Sequence, residues 1–205
     1  RKKRFNIIDY NYDFINISFE NLSELKKIFF SKKYLNNRFY DENSISYHYF
    51  EWLYAAKKIG GSKNISLAKK QIFNWYIKKY RLSSFVWEKN FVAKRLINLI
   101  YNFDYYAVSA TKDEKKKLNI IILKHYFILN LLIKLNKNDS SIEITKAMFL
   151  FHLIHKLETS KIVKELNKQL YEHINQNGMH KSMNPCTHAE FINHLYEIKN
   201  ICLFF

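Results

Sequence analysis

Three groups of side chains have the types and spacing to do chemistry. Arg95, Asn98 and Asn102 recur at i, i+3 and i+7, which on a helix puts them along one line. A separate apolar stripe of Val92, Leu96, Leu99 and Phe103 runs at the same helical spacing. The polar line is flanked by Ile97, Tyr101 and Tyr105 rather than by the Lys and Glu of a solvated face. It suits a cleft in which a guanidinium binds a carboxylate or sulfate, and equally an arginine that satisfies loop carbonyls. His48, Tyr49 and Trp52 fall within one helical turn, where a histidine with aromatics can stack on sugar rings or join a core. The run Asn177-Gly-Met-His-Lys-Ser-Met-Asn-Pro-Cys-Thr-His188 sets His180, Asn184 and His188 in one polar loop. Such loops on rigid helices commonly carry function. The competing account is capping, with Gly178 ending one helix, Pro185 in the turn and Thr187 starting the next.

Other chemistries find little support. His152 and His155 have a zinc-compatible spacing, but no third ligand accompanies them and a core role is preferred. His188-Ala-Glu190 matches part of the zinc-deaminase signature, but no Pro-Cys-x-x-Cys follows it. There is no Walker loop, Gly-x-Gly-x-x-Gly or nucleophile elbow, so no cofactor and no metal is expected. Cys186 and Cys202 are too few for a disulfide framework.

The elements that must position these residues are helices. In 205 residues there are 3 Gly and 1 Pro, against 17 Phe, 15 Tyr and 3 Trp. So few turn residues exclude a turn-rich β-sandwich, and so much apolar area excludes a disordered chain. Caps and periodicity predict eight helices: Ser18 to Tyr34, Ser46 to Ile59 ending at Gly60-Gly61, Ile65 to Tyr80 and Glu88 to Tyr106 come first. Three more open on capping boxes: Thr111-Lys-Asp-Glu114 runs to Leu135, Ser140-Ser-Ile-Glu143 to Leu157, and Thr187-His-Ala-Glu190 to the last residues. Between these, Thr159 to Gln176 makes the seventh. Short connections predict antiparallel αα-hairpins in a bundle, solenoid or closed ring. No Pro/Gly/Ser-rich linker divides residues 1–205, so one helical domain is expected.

The longest apolar stretch, Leu118 to Leu135, contains Lys124, His125 and Lys134 and reads as a buried helix rather than a membrane span. The formal charge is +16, which favours an anionic partner. Only Arg1, Arg4, Arg38, Arg81 and Arg95 are arginines and the other basic residues are lysines, so compositional bias accounts for the charge as well as phosphate recognition does. The opening Arg-Lys-Lys-Arg without Met, and the apolar Ile201-Cys-Leu-Phe-Phe205, predict a piece of a longer chain.

Three segments in register resemble a known family. His48-Tyr-Phe-Glu-Trp52 before Gly60-Gly61 is similar to its His-Tyr-Phe-Asp-Trp segment. Trp87 with Ala93-Lys-Arg-Leu-Ile-Asn98 is similar to its Trp and Ala-x-Arg-Leu-x-Asn helix. Asn177-Gly-Met-His-Lys-Ser-Met-Asn-Pro-Cys186 is similar to its Asp-Gly-Gly-His-Val-Ser-Arg-Asn-Pro-Ser loop. Over roughly residues 45 to 198 the chain resembles the N-terminal helical domain of bacterial heparinase II/III-like proteins. The resemblance implies an incomplete (α/α) toroid, followed by a β-sandwich that holds a catalytic histidine and a structural metal site. It also implies cleavage of a uronate-containing polysaccharide by β-elimination. That reaction needs a group that binds the uronate carboxylate, a base for the C5 proton and an acid for the leaving oxygen; the family draws these from Asn, His and Tyr.

Matched residue by residue, Asn184, His180 and His188 become the catalytic candidates, and Arg95, Asn98, His48, Tyr49 and Trp52 the substrate-binding ones. Asn184 and Arg95 would bind carboxylate; His180 and His188 would transfer protons or touch sugar. The chain departs from the lyase pattern in several places. An Asn-His pair expected near Asp139-Ser140 is missing, the position of a family Tyr holds Thr187, and Met179 and Met183 replace a Gly and an Arg. The expected partner is an acidic polysaccharide. The alternative is a non-catalytic basic scaffold that binds a polyanion such as nucleic acid, for which a steep salt dependence is the signature. The resemblance implies a bacterial protein of the cytoplasm or periplasm.

Overall fold

The structure, a computed structural model, describes residues 45–79, 85–135 and 141–204. The helix expected over Ser18 to Tyr34 lies outside them. The described residues form nine α-helices and one 3-10 turn, without a strand. The elements are α1 (Ile45–Tyr49), α2 (Trp52–Ile59), α3 (Ser62–Lys79), the 3-10 turn Phe85–Trp87, α4 (Lys89–Tyr101), α5 (Phe103–Ala107), α6 (Lys112–Leu135), α7 (Ile142–Ile154), α8 (Ser160–His173) and α9 (Pro185–Phe204). The all-α class is as the scarcity of Gly and Pro dictates.

Helix α4 is the hub. It packs against α1, α2, the 3-10 turn, α5, α6 and α7, while α7 in turn carries α8 and α9. The reason is its composition: Val92, Ala93, Leu96, Ile97, Leu99 and Ile100 are all buried, so it is apolar almost all round. Helix α7 is buried from Ile144 to Phe151 for the same reason. Helix α6 packs Leu118, Ile121, Ile122, Tyr126 and Leu129 inward and leaves Ile120, Phe127, Leu131 and Leu135 exposed. By length and composition alone it is long and apolar enough to cross a membrane, with 39% of its apolar window buried.

Local signals set several ends. Gly60, at φ 69°, closes α2 by returning its N–H to the Ala56 carbonyl, a conformation that residues with a Cβ rarely adopt. The Thr111 box is reciprocal: Glu114 N–H donates to Thr111 Oγ1 at 3.2 Å and Thr111 N–H to Glu114 Oε2 at 2.9 Å. Other ends differ from expectation. The helix expected over Ser46 to Ile59 breaks at Phe50, whose φ of 63° lies in the left-handed region. Such a φ costs a non-glycine residue roughly 1–2 kcal/mol. It is held because the fully buried Phe50 ring packs edge-on against Trp52 and Trp75. The helix expected over Glu88 to Tyr106 is interrupted at Asn102, and α8 stops at His173 rather than Gln176. Ser141, not Ser140, caps α7 by accepting from Ile144 N–H, which frees Glu143 for a partner elsewhere.

Candidate functional site

The break at Phe50 explains what Arg95 and Asn98 do. When α1 ends, its last carbonyls lose their helical partners. Arg95 Nη1 donates to His48 O at 3.1 Å and Asn98 Nδ2 to Tyr49 O at 2.8 Å, so α4 caps α1 from the side. Arg95 Nη2 also takes the Val86 carbonyl at 2.6 Å, and its Nε donates to His125 Nε2 at 3.1 Å. The guanidinium lies over the Trp75 and Trp87 rings, 4.4 and 5.0 Å from their centroids. Arg95 is fully buried, so in this conformation it meets no ligand from solvent. Burial pulls it down to about 9, so it stays a cation at neutral pH. His125 Nδ1 faces Ile121 O at 2.8 Å, which makes that nitrogen the donor and leaves Nε2 to accept from the arginine. Burial and the adjacent Arg95 push this histidine down to about 3.

His48 and Trp52 belong to the same core. His48 is fully buried and accepts from Trp75 Nε1 at 3.0 Å, and Trp52 is 2% exposed. Tyr49 is half-buried, with the Lys94 ammonium 4.5 Å over its ring and Phe91 beside it. Of the five residues placed at a substrate site by sequence, His48, Trp52 and Arg95 are core, whereas Tyr49 and Asn98 keep partial access to solvent.

The loop between α8 and α9 brings His180, Asn184 and His188 together. An antiparallel bridge pairs Ile174 with His180, and Asn175 Oδ1 accepts from the Asn177 and Met179 N–H groups, each at 3.0 Å. His180 N–H donates to His188 Nδ1 at 3.2 Å, and the His180 ring stacks on His173 and meets Phe191 edge-on. His180 Nδ1 pairs with Ser182 Oγ at 2.8 Å. Asn184 Oδ1 accepts from Cys186 N–H at 2.9 Å and Thr187 N–H at 3.4 Å, so Asn184 is the N-cap of α9 and Pro185 its first residue. The capping role expected of Thr187 therefore falls three residues earlier. Proline needs no N–H partner, so it fits the first helical position better than the preceding turn.

A second region gathers more titratable groups than the loop. A pocket of about 140 Å³ is lined by Glu51 from the α1–α2 junction, Lys94, Ile97, Asn98 and Tyr101 from α4, Glu143 and Lys146 from α7, and Glu197 from α9. Lys146, which is 4% exposed, donates to Glu197 Oε2 at 2.6 Å and contacts His194 Nδ1 at 3.0 Å. Lys94 Nζ lies 3.4 Å from Glu143 Oε1, and His194 Nε2 lies 3.6 Å from the same oxygen. Burial, with Lys146 and Lys94 beside it, drives His194 down to about 3, so it is neutral. Burial and the neighbouring Glu197 raise the Tyr101 hydroxyl well above its usual range. The Glu51 carboxylate makes no hydrogen bond or close ion pair among the described residues, and burial raises it above the usual glutamate value against the pull of the nearby Lys94 ammonium. Asn98 Nδ2 is spent on Tyr49 O, which leaves Oδ1 as an open acceptor on the wall.

Of this pocket, sequence reasoning found Asn98 alone. The available signal was the one-turn pairing of polar residues on otherwise apolar helices: Glu143 with Lys146, and His194 with Glu197. Among the described residues no three His, Cys, Asp or Glu side chains are grouped to hold a metal. His152 is engaged by Tyr126 Oη at 3.0 Å and Glu158 O at 2.7 Å, and His155 stacks on Phe151. The pocket presents side-chain donors and acceptors suited to hydroxyls, carboxylates or ammonium groups.

No protein-family model, curated protein or solved structure matches the chain.

Proposed function

We propose that this chain is a helical carbohydrate-binding domain of the heparinase II/III-like kind, which holds an acidic, uronate-containing polysaccharide for β-elimination. The arrangement proposed with it is an incomplete (α/α) toroid of antiparallel hairpins around α4. The observation that carries the reading is Asn98: the last residue of the family-like Ala93–Asn98 segment opens an unpaired amide oxygen onto a polar pocket. Lys94, partly exposed on the α4 side of the pocket, is the group proposed to meet a uronate carboxylate. His180 and His188, joined through one hydrogen bond, remain the proposed proton-transfer or sugar-contact groups at the α8–α9 loop. Asn184, although it caps α9, is exposed and carries the proposed carboxylate contact. In this reading elimination also draws on the β-sandwich that the resemblance implies.

The test is titration of the chain with uronate-containing and neutral oligosaccharides at several salt concentrations. The expected result is uronate selectivity that survives salt, and about a tenfold loss for Asn98→Ala, the equivalent of one hydrogen bond. Equal affinity for any polyanion, falling steeply with salt, overturns it in favour of a basic scaffold. That second reading draws on the exposed Lys116 and Lys117, next to Lys115, at the start of α6.

A further inference from the structure

We propose that the exposed face of α6 docks on an anionic lipid surface, with Ile120, Phe127, Leu131 and Leu135 entering the boundary between headgroups and acyl chains and the adjoining lysines meeting lipid phosphates. The inference is independent of the carbohydrate reading, because none of these residues lines the pocket.

Lys116, Ile120, Lys124, Phe127, Leu131 and Leu135 follow one another at steps of three or four residues, which places them on one face of the helix. The four apolar side chains are 42%, 50%, 53% and 73% exposed in chain order. Lys112, Lys117 and Lys134 are exposed beside them, so the face combines apolar area with ammonium groups. From Lys115 to Leu135 there is no Asp or Glu. Glu114, just before that run, is held by Lys69 and by the Thr111 N–H. Lys124 donates to the Tyr76 hydroxyl, a partner that leaves its charge in place.

A lysine-rimmed apolar row fits a partner with apolar depth and negative charge. Two copies of this face would set lysine against lysine, which disfavours a second copy of the chain. An acidic polypeptide would match the charge, but side chains this exposed stand out on a ridge and form no groove to receive a helix or strand. Acyl chains close around a ridge, and phosphates at the level of the lysines supply the negative charge. The helix would lie along the surface rather than cross it. Its other side is committed to the core through Leu118, Ile122 and His125, the last of which accepts from Arg95. The lysines alone would serve any polyanion; the apolar row is what selects lipid.

The experiment is co-sedimentation of the chain with vesicles of phosphatidylcholine, alone or with roughly one-third phosphatidylglycerol. Binding to the anionic vesicles is expected to be about tenfold or more tighter, and to weaken as salt rises. Ile120→Ser/Leu131→Ser is expected to lose about tenfold on the anionic vesicles, with the melting temperature unchanged because both side chains are exposed. Should that variant not fold, Leu131→Trp gives a second readout. Trp52, Trp75 and Trp87 are buried, so the new indole is the one expected to be quenched by lipids brominated on the acyl chain. Equal binding to both vesicles, full retention in the folded double variant, or no quenching of vesicle-bound Leu131→Trp overturns the proposal. Retention in the double variant with displacement by polyglutamate would give the lysines to an acidic polypeptide instead. A concentration-dependent dimer that Ile120→Ser/Leu131→Ser dissolves would give the face to a second copy. Asn98→Ala is expected to leave vesicle binding unchanged while lowering uronate binding, so the two readings fail separately.

Discussion

Helix α4 presents cationic residues to two different environments one residue apart. Arg95 enters a closed aromatic core, where neutral groups alone satisfy it: two carbonyls, one imidazole nitrogen and two indole faces. Lys94 turns to the pocket, where carboxylates meet the ammonium groups and one acid is in excess. Each region holds a histidine driven down to about 3 by burial and a neighbouring cation: His125 in the core and His194 at the pocket. A suppressed histidine therefore does not mark a functional site by itself. What separates the two regions is the unfilled acceptors, Glu51 and Asn98 Oδ1, which the pocket has and the arginine cluster lacks.

The largest effect is expected at Arg95. Arg95→Ala is expected to cost roughly 2–6 kcal/mol, because two buried carbonyls lose their donor at about 1–3 kcal/mol each. Urea unfolding reads it, and Arg95→Lys should rescue little, since lysine lacks the planar fork. An Arg95→Lys protein of unchanged stability that no longer bound glycan would move Arg95 back to the ligand site.

In the pocket the corresponding break is Lys146→Met, which removes the ammonium partner of Glu197. A loss of about 1.5–3 kcal/mol is expected for a charged hydrogen bond. Adding Glu197→Gln should recover part of it, and a double-mutant cycle measures the coupling. Strict additivity would show that the two side chains do not act as a pair.

Asn184 sharpens the contrast between capping and binding at the loop. Asn184→Ala should destabilise by about 1 kcal/mol through loss of the α9 cap, and Asn184→Asp should keep the cap. If Asn184→Asp retains the melting temperature but loses uronate affinity, the side chain binds carboxylate as well as capping.

Two further effects depend on pH and are of opposite sign. His125, His155 and His194 take up protons less readily when folded, being pushed to about 3, 4 and 3. The unfolded chain then binds more protons below pH 6.5, so the melting temperature falls on acidification from there toward pH 4. Glu51 works the other way. Its raised folded value gives stability that is fully present below the ordinary 4.5 and lost as the pH rises through the folded value. Glu51→Gln should therefore raise the melting temperature at neutral pH, and the difference should close in acid. A constant difference across the pH range would mean that Glu51 does not titrate in this environment.

The sequence by itself determined the all-α class, because three glycines and one proline leave little material for turns. It determined the end of α2 at Gly60 and the reciprocal cap of α6 at Thr111 and Glu114, because those signals act between residues at most four apart. It also singled out Asn98 and the His180–His188 loop by type and spacing. The tertiary structure alone decided the break at Phe50, since a left-handed phenylalanine persists only where Trp52 and Trp75 bury its ring and α4 captures the freed carbonyls. It alone turned Arg95 inward, moved the α7 cap to Ser141 and the α9 cap to Asn184, and assembled the pocket. Lys146 and Glu197 are 51 residues apart, and Glu51 arrives from a different pair of helices. No local propensity reaches that far; the burial of the apolar faces of α4 and α7 brings those groups together.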